Sequence, residues 1–411
     1  MPVLKQHIAL AARGLRALLS LGTGGERDRI TPGYQTATSK ELATSERTQT
    51  RAEEVARLHR RLAATEAELS EARANLAKQR FFDKETPVFF VVGQPKSGTG
   101  WLMKILNSHP EILCKGGGRF FGRELRNEEA KAVQAARVVN AKNPPSSLHN
   151  AMLDAEYLKL WIESSVWSRD DDPEEHLAKL TRLAIDHFLM EKLSKTNKRL
   201  VGDKTPLFTT DVLKETKLIY PEAKLIHIVR DGRDVAVSWM HQLWKKDLDG
   251  MRKLKTEELA KRRAFYQNPQ VFLASGEGIF LEDRLRSTAE GWRESVGRAV
   301  EDGPGLLGNN YAEVRYENLL ERPEEETKRL LDFLGADTRE KIVRRCVRSA
   351  SFEVRSGRER GQENYTLDHG KHRKGIAGDW KNVFTERDKA VFKEAAGNLL
   401  IELGYEKDDN W

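Results

Sequence analysis

The chain has 411 residues, of which 39% are hydrophobic and 32% are charged, so it is long enough for one large domain with an appendage. It contains no apolar run of about 18 residues, which excludes a conventional transmembrane helix, and its two cysteines, Cys114 and Cys346, exclude a disulfide framework and fit a reducing compartment. The formal net charge is +7, but residues 1–80 hold 14 basic and 9 acidic residues, so most of the excess lies there and nucleic-acid binding is not favoured.

Residues 1–21 have the pattern of a basic amphipathic helix. The apolar residues that share one face are Leu4, Ile8, Ala11, Leu15 and Leu18. Such a helix can lie on an anionic membrane surface, or it can be a terminal helix that packs on a neighbour. Arg13 and Arg16 interrupt the apolar stretch that a secretory signal needs. Residues 22–50, rich in Gly, Thr, Ser and charge, indicate a flexible linker.

Residues 51–80 follow a heptad pattern. The a and d positions are Val55, Leu58, Leu62, Thr65, Leu69, Ala72 and Leu76. This spacing predicts a short coiled coil and with it a homodimer, and the alternative is a single long helix that packs on the next domain.

A buried strand followed by a glycine-rich turn begins at Val88. The wholly apolar run VFFVV is typical of a parallel strand covered on both faces. The turn that follows contains three glycines and several anion-binding groups: Gly93, Lys96, Ser97, Gly98, Thr99 and Gly100. Because a helix pattern follows at once, its N-terminal N–H groups and dipole point to phosphate binding.

The order of residues in this turn separates it from the loop of nucleotide triphosphatases, GxxxxGK[ST], because Lys96 precedes Gly98. The segment PKSGTGW resembles the 5′-phosphosulfate loop of sulfotransferases that use 3′-phosphoadenosine 5′-phosphosulfate (PAPS), whose usual form is PKSGTTW. Gly100 departs from that form and removes one hydroxyl contact. The resemblance implies that Lys96 stabilises charge at the leaving phosphate and that Trp101 stacks on the adenine.

A second apolar strand, residues 225–229, precedes RDGRDVAVSWMH. Arg230 at the strand end and Ser238 on the following helix can converge on one phosphate, the first with a bidentate fork and the second with a hydroxyl. The segment is similar to the 3′-phosphate motif of the same family, RNPKDVAVSYYH, with the same eight-residue interval.

The third matching segment is RKGIAGDWKN, from Arg373. Its two cations beside glycines indicate a mobile loop that closes over an anion, and it is similar to the RKGxxGDWKN segment of cytosolic sulfotransferases. The resemblance implies 3′-phosphate contacts from Arg373, Lys374 and Gly375. Upstream, Ser351-Phe352 matches the pair that edges the adenine, and Tyr316 lies at the end of the family's Tyr-Glu strand.

The general base does not follow the pattern of the cytosolic enzymes. Cytosolic sulfotransferases carry a histidine in the segment that corresponds to VGDKTPLF, where this chain has none; Lys204 occupies about that place. GDKTP instead resembles carbohydrate and tyrosylprotein sulfotransferases, in which a lysine assists and a glutamate elsewhere is the base. The candidates here are Glu124 and Asp203, with His241 and His109 as further alternatives.

Taken together, these patterns predict an α/β domain over residues 81–411, with a P-loop-like central parallel sheet flanked by helices. The predicted activity is transfer of a sulfuryl group from PAPS to an alcohol, phenol or sugar hydroxyl, with no metal, in the cytoplasm or at the periphery of a membrane. The alternatives are a coiled-coil scaffold with a catalytically degenerate nucleotide-binding domain and a P-loop kinase.

Overall fold

A computed structural model describes residues 54–65, 87–118, 120–121, 172–206, 211–248, 254–362 and 373–411. The predicted amphipathic helix and linker, most of the predicted coiled coil, and Glu124 lie outside these residues. The chain divides into two units, Met1–Ala67 and Glu68–Trp411. In the first unit, residues 54–65 form helix α1.

The second unit alternates strands and helices, in the order that a parallel α/β sheet requires. The strands are β1 (Val88–Gly93), β2 (Ile112–Gly116), β3 (Leu200–Pro206), β4 (Lys224–Val229) and β5 (Tyr311–Arg315). The helices are α2 (Thr99–Asn107), α3 (Pro173–Ser194), α4 (Asp211–Ile219), α5 (Gly232–Leu248), α6 (Thr256–Gln267), α7 (Pro269–Ala274), α8 (Glu282–Leu307), α9 (Tyr316–Glu321), α10 (Pro323–Leu334), α11 (Glu340–Ser349), α12 (Phe352–Ser356) and α13 (Glu386–Glu402). Short 3₁₀ turns cover Gly308–Asn310 and Asp379–Asn382.

The described strands form one sheet in the order β2-β3-β1-β4-β5. All pairs are parallel, and the central strand β1 aligns Phe90 with Asp203 of β3 on one side and with Leu225 of β4 on the other. This arrangement confirms the predicted α/β class with a parallel sheet flanked by helices.

Strand β1 is wholly apolar because helices cover the sheet on both faces. On one face, Phe89 and Val91 pack with side chains of α2, α10 and α11. On the other face, Phe90 and Val92 pack with α3, α4 and the end of α8. Cys114 and Cys346 are both buried free thiols in the first of these cores.

A further apolar core lies beside the sheet, between helices α5, α6, α8 and α13. Its largest side chains, Trp244 and Trp292, are fully buried. This core fixes the start of α5 and the segment around Trp380, both of which carry predicted site residues. Among the helices that the structure describes, none has the length and apolar character needed to cross a membrane.

The strand order determines where a ligand site can form. The connection after β1 runs toward β2 at one edge, whereas the connection after β4 runs toward β5 at the other edge. Between β1 and β4 the two connections therefore diverge at the carboxyl ends of the strands and leave a crevice, which is the usual ligand site in open parallel sheets. The turn after β1 and the turn after β4 both border this crevice.

Candidate active site

The turn after β1 has a backbone that is shaped for an anion. Gly98 has φ +94°, and a Cβ at this position would lie 2.6 Å from the ring of Tyr316, so both the backbone and the space require glycine. Lys96 also has positive φ, +82°, and it is the one non-glycine residue of the described chain that does. Such strain is concentrated at functional sites.

The turn after β4 contacts the first turn directly through Arg230. Its Nη1 donates to the backbone oxygen of Lys96 at 3.1 Å, and its guanidinium carbon lies 4.1 Å from the centre of the Tyr316 ring. Arg230 also pairs with the buried carboxylate of Asp234, one helical turn along α5, at 3.4 Å. Arg230 is therefore held from three sides at the carboxyl end of the sheet.

The glycine-containing loop that begins at Arg373 is held against the same turn. Arg230 Nη2 donates to the backbone oxygen of Ile376 at 3.0 Å. The N–H groups of Gly378 and Trp380 donate to the two oxygens of Asp234, at 2.7 and 3.0 Å. Asp234 thus joins two segments that are more than a hundred residues apart in the chain.

The two cations of this loop share one carboxylate. Lys374 Nζ lies 2.8 Å from Asp379 Oδ1, and Arg373 pairs with the other oxygen of Asp379. Burial opposes ionisation of Asp379, but the charges of Arg373 and Lys374 outweigh it and hold the pKa of this carboxyl below its ordinary value. Asp379 is therefore ionised at neutral pH and orients both cations.

These three segments surround one cavity of about 670 Å³ at the crevice between β1 and β4. The described residues that line it include nine lysines and arginines and no aspartate or glutamate, so the cavity suits an anionic ligand. It brings together most of the predicted site residues: Lys96, Gly98, Thr99, Gly100, Trp101, Lys204, Arg230, Ser238, Tyr316, Phe352, Arg373, Lys374 and Gly375.

One side of the cavity is aromatic. Trp101 and Tyr316 contact edge to face, with ring centres 5.6 Å apart, and Phe352 lines the same cavity. Gly375 has φ +70°, and a Cβ there would lie 2.4 Å from the Phe352 ring, so glycine lets the cationic loop contact this aromatic side. An aromatic wall beside a row of cations suits a planar base that carries phosphates.

Ser97 is the predicted donor-site residue of this loop that does not line the cavity. It is fully buried, and its Oγ has no hydrogen-bond partner among the described residues. The same is true of Arg230 Nε. Because buried polar atoms are normally paired, two such atoms, one in each of the turns after β1 and β4, fit a site that receives a polar ligand.

The sequence analysis missed several lining residues on helix α5. Gln242 and Lys245 follow Ser238 by four and seven residues, so they lie on the same helix face. Gln242 Oε1 accepts from Lys96 Nζ at 3.3 Å. The helical spacing from Ser238 was a signal that could have identified both residues. Arg355 and Arg360 also line the cavity, and no motif marked them.

The candidates for the general base lie in different places. Asp203 does not line the cavity: it is 3% exposed, and its oxygens accept from the Gly118 N–H at 3.1 Å and the Thr205 hydroxyl at 3.0 Å. Burial raises the pKa of Asp203. His109 is buried at the other end of α2, where Glu111 N–H donates to its Nδ1 at 3.1 Å.

His241 does line the cavity, one helical turn from Ser238. Its ring packs edge to face on Trp244 and Phe265, with ring centres 5.3 and 5.5 Å apart, and the Tyr266 hydroxyl lies 3.5 Å from Nδ1. Burial raises the pKa of Tyr266 to about 12, so this phenol is protonated at neutral pH. Lys204 reaches the cavity from β3, where Gly116 leaves room for its side chain.

A larger cavity, of about 1070 Å³, lies beside α6 and the start of α13. None of the predicted site residues lines it, and its described lining has six acidic and three basic side chains, which does not suit an anionic ligand. Volume alone therefore does not identify the site. In the described part of the chain, no group of three or more His, Cys, Asp or Glu residues is arranged to hold a metal ion.

Comparison with known proteins connects this cavity to a family. Over 197 residues the chain is 31% identical to mouse sulfotransferase 1B1, which covers 44% of this chain and 57% of that protein. It is 23% identical over 331 residues to the nodulation protein NoeE of Sinorhizobium fredii, covering 78% and 66% of the two chains. The chain thus spans little more than half the length of the mouse relative.

Among solved structures, a mouse sulfotransferase complexed with 3′-phosphoadenosine 5′-phosphate (PAP) is similar to this chain, with a TM-score of 0.41 and 20% sequence identity. The match covers 77% of this chain and 85% of the other. The sequence model of the family described as "Sulfotransferase domain" matches residues 86–404, more than three quarters of the chain. The match includes all three segments that surround the cavity, and the chain belongs to the sulfotransferase-domain family.

Proposed function

We propose that this chain transfers a sulfuryl group from PAPS to a hydroxyl group of an alcohol, phenol or sugar. The observation that carries the proposal is the convergence of three segments on one cationic cavity: the turn at Lys96, the turn at Arg230 and the loop at Arg373. We assign the 5′-phosphosulfate to the first turn, the 3′-phosphate to Arg230, Ser238 and the loop, and the adenine to the aromatic side.

The proposed chemistry needs alignment, positive charge and a proton acceptor. The donor, when bound, supplies a sulfuryl group on its 5′-phosphate oxygen. As the acceptor oxygen bonds to sulfur and the bond from sulfur to the phosphate oxygen breaks, Lys96 stabilises the charge on the leaving oxygen. Lys204 supplies a second positive charge from the side of β3. The acceptor proton passes to a base.

For the base we propose His241 ahead of Asp203. His241 lines the cavity, whereas Asp203 does not, and both of its oxygens already accept hydrogen bonds, from Gly118 and Thr205. Glu124 is the remaining candidate, outside the described residues. Turnover of His241→Ala, Asp203→Asn and Glu124→Gln separates the three, and we expect His241→Ala to lose about a hundredfold or more. Near-normal turnover of His241→Ala, with a large loss in Glu124→Gln, would reassign the base.

Two measurements test the function itself. Calorimetry with 3′-phosphoadenosine 5′-phosphate (PAP) should show submillimolar binding, and a transfer assay with ³⁵S-labelled PAPS should label a hydroxyl acceptor from a panel of phenols, lipids and glycans. A scaffold with a degenerate site binds PAP and transfers nothing. A P-loop kinase instead turns over ATP with magnesium and does not bind PAP.

We propose further that the chain forms a homodimer through residues 51–80. Helix α1 supports this, because Val55 and Leu62 are 38% and 45% exposed. Both belong to the a and d positions, which form the seam between the helices of a coiled coil. Light scattering should give twice the chain mass for the wild type and the chain mass for Leu62→Asp. Ala64→Asp, an exposed change away from the seam, is the control. A monomeric wild type contradicts the proposal.

The proposed location is the cytoplasm, with peripheral membrane contact through residues 1–21. The buried free thiols of Cys114 and Cys346 fit a reducing compartment. Co-sedimentation with anionic vesicles, compared with neutral vesicles and with the double variant Arg13→Glu and Arg16→Glu, tests the membrane contact. Equal sedimentation in all three cases would show that the basic helix plays no part.

A further inference from the structure

Arg233, three residues after Arg230, is a buried cation with no place in the donor site described above. It lies in the first turn of α5 and is 1% exposed. Its Nη2 lies 2.8 Å from Asp231 Oδ2, and its Nη1 pairs with Glu406. Removing a guanidinium from water is costly unless its charge and its donors are matched, as they are here.

Two tryptophan rings complete the surroundings of Arg233. Its guanidinium carbon lies 3.8 Å from the ring centre of Trp380 and 4.4 Å from that of Trp411. The two rings contact edge to face, with centres 5.7 Å apart. Cation–π attraction is strongest for tryptophan and for desolvated cations, so Arg233 joins both rings into one unit.

Trp380 is also part of the cationic loop. Its N–H, together with that of Gly378, is held by Asp234, which pairs with Arg230. This segment therefore borders the proposed 3′-phosphate site, while the side chain of Trp380 packs against Arg233 and Trp411.

The segment 405–411 that supplies Glu406 and Trp411 has its own anchors. The N–H groups of Tyr405 and Glu406 donate to Leu400 O at 2.8 and 3.2 Å. The Tyr405 hydroxyl donates to Glu317 Oε2 at 3.1 Å, and the other oxygen of Glu317 accepts from Asp231 N–H at 3.1 Å. The segment is thus linked to the region after β4 directly, through Glu406 and Arg233, and indirectly, through Tyr405 and Glu317.

We propose that Arg233 and Trp411 are positioning residues for the donor: residues 405–411 hold Trp380, and through it the loop at Arg373–Gly378, where the loop binds the 3′-phosphate. This inference rests on the proposed function. It assigns to a segment outside the recognised motifs a part in donor recognition.

The test compares two nucleotides that differ in the 3′-phosphate, PAP and AMP, by calorimetry. We expect Trp411→Ala to weaken PAP binding roughly tenfold, in the range of a lost desolvated cation–π contact, while AMP binding changes less than about twofold. Trp411→Phe, which keeps an aromatic face, should recover most of the loss. Lys407→Ala, an exposed change in the same segment, is the control and should bind like the wild type.

Steady-state kinetics give a second readout. In Trp411→Ala the KM for PAPS should rise, with kcat and the acceptor KM little changed. Thermal unfolding of the same samples checks the fold, and Glu406→Gln, which keeps the side-chain shape, replaces Trp411→Ala if that variant is unfolded. It should weaken PAP about threefold, because it removes one of the two charges that match Arg233.

Three outcomes are distinguishable. Equal losses for PAP and AMP would show a general structural role and overturn the inference. Unchanged PAP binding in both variants would also overturn it and would leave the proposed function intact. A wild type that does not bind PAP would refute the proposed donor site itself.

Discussion

At the scale of single residues, Lys96 combines a strained backbone with the central charge of the site. Its left-handed φ turns the backbone oxygen toward Arg230, while its ammonium group lies 3.3 Å from Gln242 Oε1. A lysine without such constraints would sample many positions. The strain therefore accompanies a fixed direction for the side chain, in the cavity where we propose that the leaving phosphate lies.

We expect Lys96→Met to lower kcat about a hundredfold to a thousandfold, because the charge on the leaving oxygen loses its compensating cation. The fold should persist, since methionine keeps the apolar stem. The measurement is ³⁵S transfer at saturating PAPS. Lys115→Met, an exposed change on β2, is the matched control, and equal turnover in the two variants would remove Lys96 from the mechanism.

Gly100, where the related loops carry threonine, allows a gain-of-affinity experiment. A Cβ at Gly100 would meet no described atom within 4 Å, and Gly100 lines the cavity. We expect Gly100→Thr to bind PAP about tenfold more tightly, the range of one added hydrogen bond to a charged group. Gly100→Val has the same shape without the hydroxyl and should show no gain. A gain in Gly100→Val as well would attribute the effect to the backbone.

At the scale of elements, the loop from Arg373 to Trp380 owes its position to a carboxylate on another element. Asp234 accepts two of the loop's N–H groups and pairs with Arg230, and it is 2% exposed. Although arginine, lysine and glycine give the loop its chemistry, its backbone is held by a carboxylate in the first turn of α5.

The variant Asp234→Asn tests whether Asp234 affects donor binding by holding the loop in place rather than by contacting the donor. An amide offers one oxygen where two N–H donors converge, so one donor stays unpaired, and the free energy of unfolding should fall by about 2 kcal/mol. Urea unfolding measures this loss, and the KM for PAPS should rise with it. Asp332→Asn, exposed on α10, is the control. An unchanged KM would mean that the loop finds its place without Asp234.

The same elements show which parts of the site could be predicted from the sequence. Lys96, Arg230 and Arg373 were predictable because each lies in a short segment of fixed spacing beside a strand end or a glycine. Asp234 and Trp411 were not, because their roles depend on contacts across more than a hundred residues that no local pattern records. Gln242 lies between these cases, since the helical period from Ser238 reaches it.

At the scale of the whole molecule, the order of the strands in the sheet brings the site segments next to one another. The class of the fold followed from the apolar runs at β1 and β4, each with a turn and a helix after it. The strand order β2-β3-β1-β4-β5 did not, because alternation of strands and helices is compatible with several orders. That order makes neighbours of β1 and β4, and so brings Lys96 and Arg230 together.

The sheet also predicts how stability depends on pH. His227 lies fully buried in β4, with Nδ1 2.7 Å from the Tyr311 hydroxyl, and burial lowers its pKa to about 4. The unfolded chain has the ordinary value near 6.5, so it takes up a proton first as the pH falls. The contribution of buried, neutral His227 to the free energy of unfolding is therefore complete above about pH 6.5 and is lost toward pH 4. The change is about 3 kcal/mol.

We expect the free energy of unfolding, measured in urea between pH 7.5 and 4.5, to fall less steeply in His227→Gln than in the wild type. Glutamine keeps a polar contact for Tyr311 but does not titrate. The carboxylates contribute equally to both proteins, so the difference between the two curves isolates His227. Parallel curves would show that His227 takes up its proton at the same pH in the folded and the unfolded chain, and would contradict the lowered pKa.

Under the proposed assignment of the 3′-phosphate to Arg373 and Lys374, their pairing with Asp379 would make donor binding an exchange of one anion for another. The loop already carries its own anion, and a 3′-phosphate bound there competes with a carboxylate of the protein for the same two cations. A chloride ion, with one charge and no directed lone pairs, is a weak competitor, whereas a phosphate offers two charges and three oxygens. In the proposed donor site, selectivity for a phosphorylated ribose would thus come from what the ligand must displace as well as from what it contacts.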